Sequence, residues 1–219
     1  MALSLSEAVT EVRDHLNEAT AVFWSDAQIE KWIKTGTRIA SSKGLLVEAD
    51  DNITLINNQL LYTSSDEAWL ADCLEPIYAY YNDQSNKYKG LIKIIPRQIG
   101  NVAAFTTGDP KYYCFFNRSM YVFPLTSAAI VTAGGTVSFL YGKETDDITA
   151  LSDEYQHLSM DYALARAKYR DHHYAEASNL LAQFYQDISF ERKDKVMREQ
   201  DTLDSFKIKA TAGRGAQRA

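Results

Sequence analysis

Cysteine and proline are scarce, at two and four residues in a chain of 219. Cys73 and Cys114 sit in apolar segments with no second Cys or His at zinc spacing beside either. They read as small buried hydrophobes rather than metal ligands. Neither metal nor disulfide is needed at this length, since a compact fold buries about 70% of the surface its unfolded chain exposes. No apolar run approaches the ~20 residues that span a bilayer. Met1–Thr20 lacks the basic, apolar and small-residue sequence of a secretion signal. The expectation is a chain made in a cytoplasm-like compartment with no membrane partner. An excess of positive charge is also missing. The net charge of −6 argues against a general binder of phosphate backbones.

Catalytic signatures are absent as well. There is no Gly-x-Ser-x-Gly elbow and no His-Glu-x-x-His, and Gly134-Gly135 lacks the Lys-Ser/Thr of a phosphate loop. His172-His173 beside Asp171 is the one tempting cluster. Neighbouring helical residues point about 100° apart, however, so both imidazoles cannot easily serve one metal. The cluster reads as a polar turn. The expectation is no enzyme, no catalytic residue, no cofactor and no metal.

What the chain does contain is periodic. Ser4-Leu5-Ser6-Glu7 is a capping box, followed by Leu5, Ala8, Val9, Val12 and Leu16 at helical spacing. Ser25-Asp26-Ala27-Gln28 repeats the signal, with Trp24 and Ile29 placed to form a hydrophobic staple. Ile29, Trp32, Ile33, Gly36, Ile39 and Ala40 mark a second buried face, and Gly44 is a natural left-handed terminator. Residues 1–44 are therefore expected to form a helix pair.

Residues 45–145 have β texture. Ile53–Ile56 and Gln59–Thr63 flank Asn57-Asn58, which suits a tight turn. Cys73–Tyr81 is strand-like, with Pro76 demoting it to an edge. Lys89–Ile95 is a further strand, and Pro96 fits the start of a short helical turn. Lys111–Phe116 and Met120–Phe123 read as a hairpin around Asn117-Arg118-Ser119, and Thr136–Tyr141 is the last strand. A small antiparallel β module is expected.

Helical spacing returns over residues 146–200. Asp146-Asp147 precede a helix start, where negative charge complements the dipole. Leu158, Tyr162, Ala165 and Tyr169 form one stripe; Ala175, Ala177, Leu180, Leu181, Phe184 and Ile188 form another beyond a break near Asp171. This reads as an antiparallel helical hairpin whose alanines allow close approach, with one long bent helix as the alternative. The fold class is thus α+β: a helical bundle of the N-terminal pair and the C-terminal hairpin, a central β module, and an extended C-terminal arm over 201–219. That arm lacks the apolar density to fold alone. From Lys207 onward every charge is basic. Phe206 and Ile208 are its apolar anchors and Lys207, Lys209, Arg214 and Arg218 its steering charges, a combination suited to docking on a partner.

Tyrosine is over-used, at 14 residues, which suits interfaces. Two functional classes stay open. One is a structural assembly protein. The other is a nucleic-acid-binding module that stacks bases on Tyr78, Tyr80, Tyr81, Tyr112, Tyr113, Phe115, Phe116, Tyr121 and Phe123 and uses the basic tail. Against the second, only Lys111 and Arg118 lie close to these aromatics in the sequence.

Three stretches carry a resemblance. They are Phe23-Trp24-Ser25-Asp26-Ala27-Gln28-Ile29-Glu30-Lys31-Trp32-Ile33, Gly108-Asp109-Pro110-Lys111-Tyr112-Tyr113 with Phe123-Pro124, and Leu151-Ser152-Asp153-Glu154-Tyr155-Gln156-His157-Leu158. In this order they resemble the head-to-tail adaptor (connector) proteins of tailed bacteriophages. Trp69–Gly100 departs from that pattern. The resemblance implies a homo-oligomeric ring, commonly of twelve copies, in the virion neck between the capsid portal and the tail, assembled in the host cytoplasm. It implies contacts with the portal protein through the C-terminal arm, contacts with a tail or nozzle protein, and passive contact with DNA passing through the ring.

Overall fold

Ser4 opens the first helix by the reciprocal exchange its sequence encodes. The Glu7 amide donates to the Ser4 side chain, and the Ser4 amide donates to the Glu7 carboxylate at 2.7 Å, which satisfies two otherwise orphaned donors. These bonds to Ser4 hold the Glu7 carboxyl below its ordinary pKa. The computed structural model describes residues 3–18, 20–21, 23–82, 88–98 and 107–192. It divides the chain into Met1–Leu46 with Asp146–Ala219, and Val47–Thr145. Among the described residues the helices are α1 (Leu5–His15), α2 (Asp26–Gly44), the short α3 (Ala128–Thr132), α4 (Gln156–Arg170) and α5, helical from 174 to 192. None of them is long and apolar enough to cross a membrane.

The first unit is helical. α1 buries Ala8, Val9 and Val12 in one core with Ile29, Trp32 and Ile33 of α2 and Met160, Ala163, Leu164 and Ala167 of α4. Ser25 is the N-cap of α2, but its side chain makes no capping bond. The reciprocal cap expected with Gln28 is not formed. The Ser25 carbonyl accepts the amides of Gln28 and Ile29 instead, and Trp24 packs edge-on to Trp32 with ring centroids 5.3 Å apart. At the other end Gly44 stays helical, and Leu45 takes the left-handed conformation with φ 54°. The glycine is required by space: a Cβ there would lie 2.8 Å from Leu46 Cγ, because that side chain folds back over the helix end.

α2 and α4 approach most closely at Gly36. A Cβ at that position would meet Tyr162 Cβ at 2.9 Å and the Ser159 carbonyl oxygen at 3.0 Å. One residue on, the buried hydroxyls of Thr37 and Ser159 lie 2.8 Å apart, and Thr37 also donates to the Ile33 carbonyl. Gln156 fastens the start of α4. Its amide oxygen accepts the Leu3 N–H at 2.8 Å, while its amide nitrogen donates to the carbonyls of Ile148 and Leu151. The turn Ile148–Ala150 is itself capped by Asp147, which accepts the Thr149 amide.

The C-terminal hairpin forms as expected, with its break at 171–173 and His172 at φ 63°. Tyr155 bonds Glu191, the rings of Tyr162 and Phe184 lie 5.4 Å apart, and Lys168 pairs with Glu176. Partners that run in opposite sequence order make the two helices antiparallel. Ala177, Phe184 and Ile188 are buried and Leu180 and Leu181 half-buried, but Ala175, expected at the head of the second stripe, is exposed in the first turn of α5, and Tyr169 ends the α4 stripe in solvent.

The second unit is the expected β module, built of two four-stranded sheets. β1 (Glu48–Thr54), β8 (Thr136–Lys143), β3 (Cys73–Asn82) and β4 (Tyr88–Gly90) form the first, in that spatial order; β2 (Leu61–Tyr62), β7 (Ser119–Phe123), β6 (Tyr112–Phe116) and β5 (Ile92–Lys93) form the second. The runs flanking Asn57-Asn58 enter different sheets, so that turn links the sheets instead of closing a hairpin. The single strand expected over Lys89–Ile95 divides at Leu91, and its second half pairs parallel to β6. β3 is interior by order. Pro76 is nevertheless tolerated, because β4 pairs only with Tyr80–Asn82 and the ladder to β8 is irregular between Pro76 and Tyr78. The β6–β7 hairpin forms as read, with Asn117 and Arg118 at φ 51° and 54°, the signature of a type I′ turn. Inner faces of both sheets share one core, in which Trp69 lies against Phe139 and Tyr141 and Tyr113 meets Phe139 edge-on.

Three outcomes test this packing. Gly36→Ala gains about 1 kcal/mol in helix propensity but drives a methyl into α4, at about 1–3 kcal/mol; its urea midpoint should fall, and an unchanged or higher midpoint would show that the seam is loose. Phe184→Ala should cost about 3–5 kcal/mol and the half-buried Leu180→Ala less, read from the same titrations. Burial raises the Asp161 carboxyl, with Asp187 acting in the same direction and His157 and His15 opposing. A raised pKa means that the folded state holds the proton more tightly, so this group's stabilisation is present at acid pH and is lost as pH rises through the folded pKa. Asp161→Asn should therefore melt higher than wild type at pH 7, with the difference closing in acid. Equal melting at both pH values would contradict the desolvated carboxyl.

Candidate partner-binding surfaces

Cys73 and Cys114 are free and buried. Burial pushes the Cys73 thiol up to about 12 and the Cys114 thiol in the same direction, so neither supplies a thiolate near neutral pH. Asp171, His172 and His173 occupy the exposed turn of the helical hairpin. His173 Nε2 lies 3.4 Å from Asp171 Oδ2, and His172 Nδ1 lies 2.7 Å from the Tyr174 hydroxyl. Among the described residues no three His, Cys, Asp or Glu side chains converge on a possible metal position.

The aromatic strands do not assemble into one base-stacking platform. Tyr78, Tyr80 and Tyr81 lie on β3 in the first sheet, while the other six belong to β6 and β7 in the second. Tyr81, Tyr113 and Phe123 are core residues; Tyr78 and Phe116 are exposed. Of the nearby cations, Lys89 is engaged by Asp109, Lys93 by Glu75 and Arg118 by Glu144, while Lys111 is exposed beside Tyr112 with no ion pair among the described residues. Nothing in this arrangement favours nucleic acid.

Arg13 of α1 is buried and clamps the loop into α2. Its guanidinium donates to Asp26 Oδ1 at 2.6 and 2.9 Å and to the Trp24 carbonyl at 2.6 Å, and it lies 3.5 Å from Glu18. Glu18 Oε1 in turn accepts the amides of Phe23 and Trp24. The clamp leaves Phe23 82% exposed, lining a cleft of about 730 Å³ together with Leu16, Glu18, Trp24, Arg170 and His172. The residues that form the clamp are spread over 13 positions of sequence, so no local motif announces it.

The outer face of α5 is the other feature that sequence periodicity did not bring forward. Ala175, Asn179, Ala182, Gln186 and Phe190 form its exposed ridge, and Ser178, Gln183 and Ser189 widen it without adding charge. Tyr174 and Tyr185 border it on one side, both partly in solvent, and Glu176 and Asp187 on the other. An ordinary exposed helix carries Lys and Glu here; depletion of charge with enrichment of aromatics is an interface composition. The signal was the run of neutral residues itself. The proposed arm residues Phe206, Lys207, Ile208, Lys209, Arg214 and Arg218 lie outside the described residues.

No curated protein matches the chain. Compared with protein families, residues 3–206 match the family described as SU10 adaptor protein. That match takes in both units and nearly the full length, and the chain belongs to this family of bacteriophage head-to-tail adaptors, structural components of the virion.

Proposed function

We propose that the chain is the repeated subunit of a homo-oligomeric ring, of twelve copies, that joins the phage portal to the tail in the virion neck. The ring assembles in the host cytoplasm and lets DNA pass through its centre. The observation that carries this reading is the uncharged, aromatic-flanked outer face of α5 in a family of structural adaptors. Such a face suits a neighbouring protein better than water.

The portal contact is assigned to the arm after Asp204. Phe206 and Ile208 would fill pockets on the portal while Lys207, Lys209, Arg214 and Arg218 meet acidic surface. A single arm bears an ordering cost on docking and binds weakly, whereas a ring of arms gains from effective concentration. Deleting Ser205–Ala219 should leave the thermal melt of the folded units unchanged and abolish or greatly weaken co-sedimentation with portal rings of the same phage. Higher salt should slow association of the full chain. Truncated protein that binds portal as well as the full chain would contradict the assignment.

A further inference from the structure

Two outward helix faces of the helical unit carry opposite charge at matching spacing. On α1, Glu7, Glu11 and Asp14 recur at steps of four and three; at about 100° per residue they fall within a wedge of about 60°. This wedge lies away from the buried Ala8, Val9 and Val12. On α2, Lys31, Lys34 and Arg38 recur at steps of three and four and occupy an equal wedge opposite Ile29, Ile33 and Ala40. Each stripe is about 10 Å long at 1.5 Å per residue.

Within the unit these charges are only partly used. Glu7 serves the cap of α1 and Arg38 pairs with Asp146 at 3.0 Å. Glu11, Asp14, Lys31 and Lys34 have no ion-pair partner among the described residues. Glu30, beside the basic stripe, is half-buried, and His15 borders the acidic one. A chain with net charge −6 repels its own copies unless they meet through neutral or opposite surfaces. A head-to-tail ring contact joins two different faces of the same protein, and one acidic and one basic stripe satisfy that requirement.

We propose that adjacent copies meet through these stripes, the acidic face of α1 on one copy seated against the basic face of α2 on the next. The occupant of each face is a second copy of this chain. The inference rests on the ring reading above and adds the pair of surfaces that set the order of copies and the dependence of assembly on salt.

The test is a charge swap on the full chain, with assembly scored by mass photometry both alone and on portal rings of the same phage. One variant is K31E/K34E, the other E11K/D14K; Glu7 and Arg38 are left in place because both have structural bonds. All four positions are exposed or half-buried surface, so circular dichroism and melting should match wild type. Each variant alone now sets like charge against like and should self-associate about tenfold or more weakly than wild type. Mixed in equal amounts, the two variants present opposite charge at every junction when they alternate, and assembly should return. Raising salt from about 20 mM to about 500 mM should weaken wild-type assembly and the mixture alike. The neutral pair K31Q/K34Q and E11Q/D14Q should fall between wild type and the reversals.

Folded variants that each assemble as wild type does, or a mixture that stays unassembled, would overturn the stripe contact. If wild type still loads portal rings in many copies in that case, the ring reading survives. Wild type that neither self-associates nor loads portal rings would overturn both.

Discussion

The close approach of α2 and α4 is the constraint from which the helical unit is built. It needs a position without a side chain, supplied by Gly36, and it traps the hydroxyls of Thr37 and Ser159 at 2.8 Å of each other. A buried hydroxyl is costly unless bonded, so this pair also fixes the rotation of one helix against the other. With α2 and α4 set, α1 has one groove to fill, and α5 folds back along α4 through the bonds and ring contacts of Tyr155, Tyr162 and Lys168.

Other surfaces of the helical unit lie outside this seam. Arg13 and Glu18 hold the connection between α1 and α2 from beneath, and the ring of Phe23 projects from it. The outer face of α5 takes no part in the described core. The opposed charges of α1 and α2 also point outward, with four of the six unpaired among the described residues. The family to which the chain belongs, that of virion adaptors, implies association with other virion proteins.

Local signals in the sequence carried the helices well. The Ser4–Glu7 exchange, the helical hairpin of α4 and α5 and the Asn117-Arg118 turn each depend on residues within a few positions, and each forms, although Tyr169 and Ala175, where the two stripes meet the break, lie in solvent. Signals whose outcome depends on distant partners misled. Ser25 has the right residue three positions on, yet Trp24 and Trp32 settle that helix start. The strand expected over Lys89–Ile95 divides because two sheets compete for it, a competition invisible in its own composition. Gly44 reads as a left-handed terminator, but the folded-back Leu46 side chain demands the glycine one position before the turn. For the candidate surfaces, the basic arm is a reading of composition alone and lies outside the described residues. The α5 face was present only as missing charge, and the Arg13 clamp needed three separated segments to meet.

Native-state hydrogen exchange across a denaturant series tests the central claim, that one α2–α4 seam organises the helical unit. The account predicts that the most protected amides of α2 and α4 share one opening free energy and exchange together through unfolding of the whole unit. It would be contradicted if α2 opened at low denaturant while the α4–α5 hairpin kept its protection.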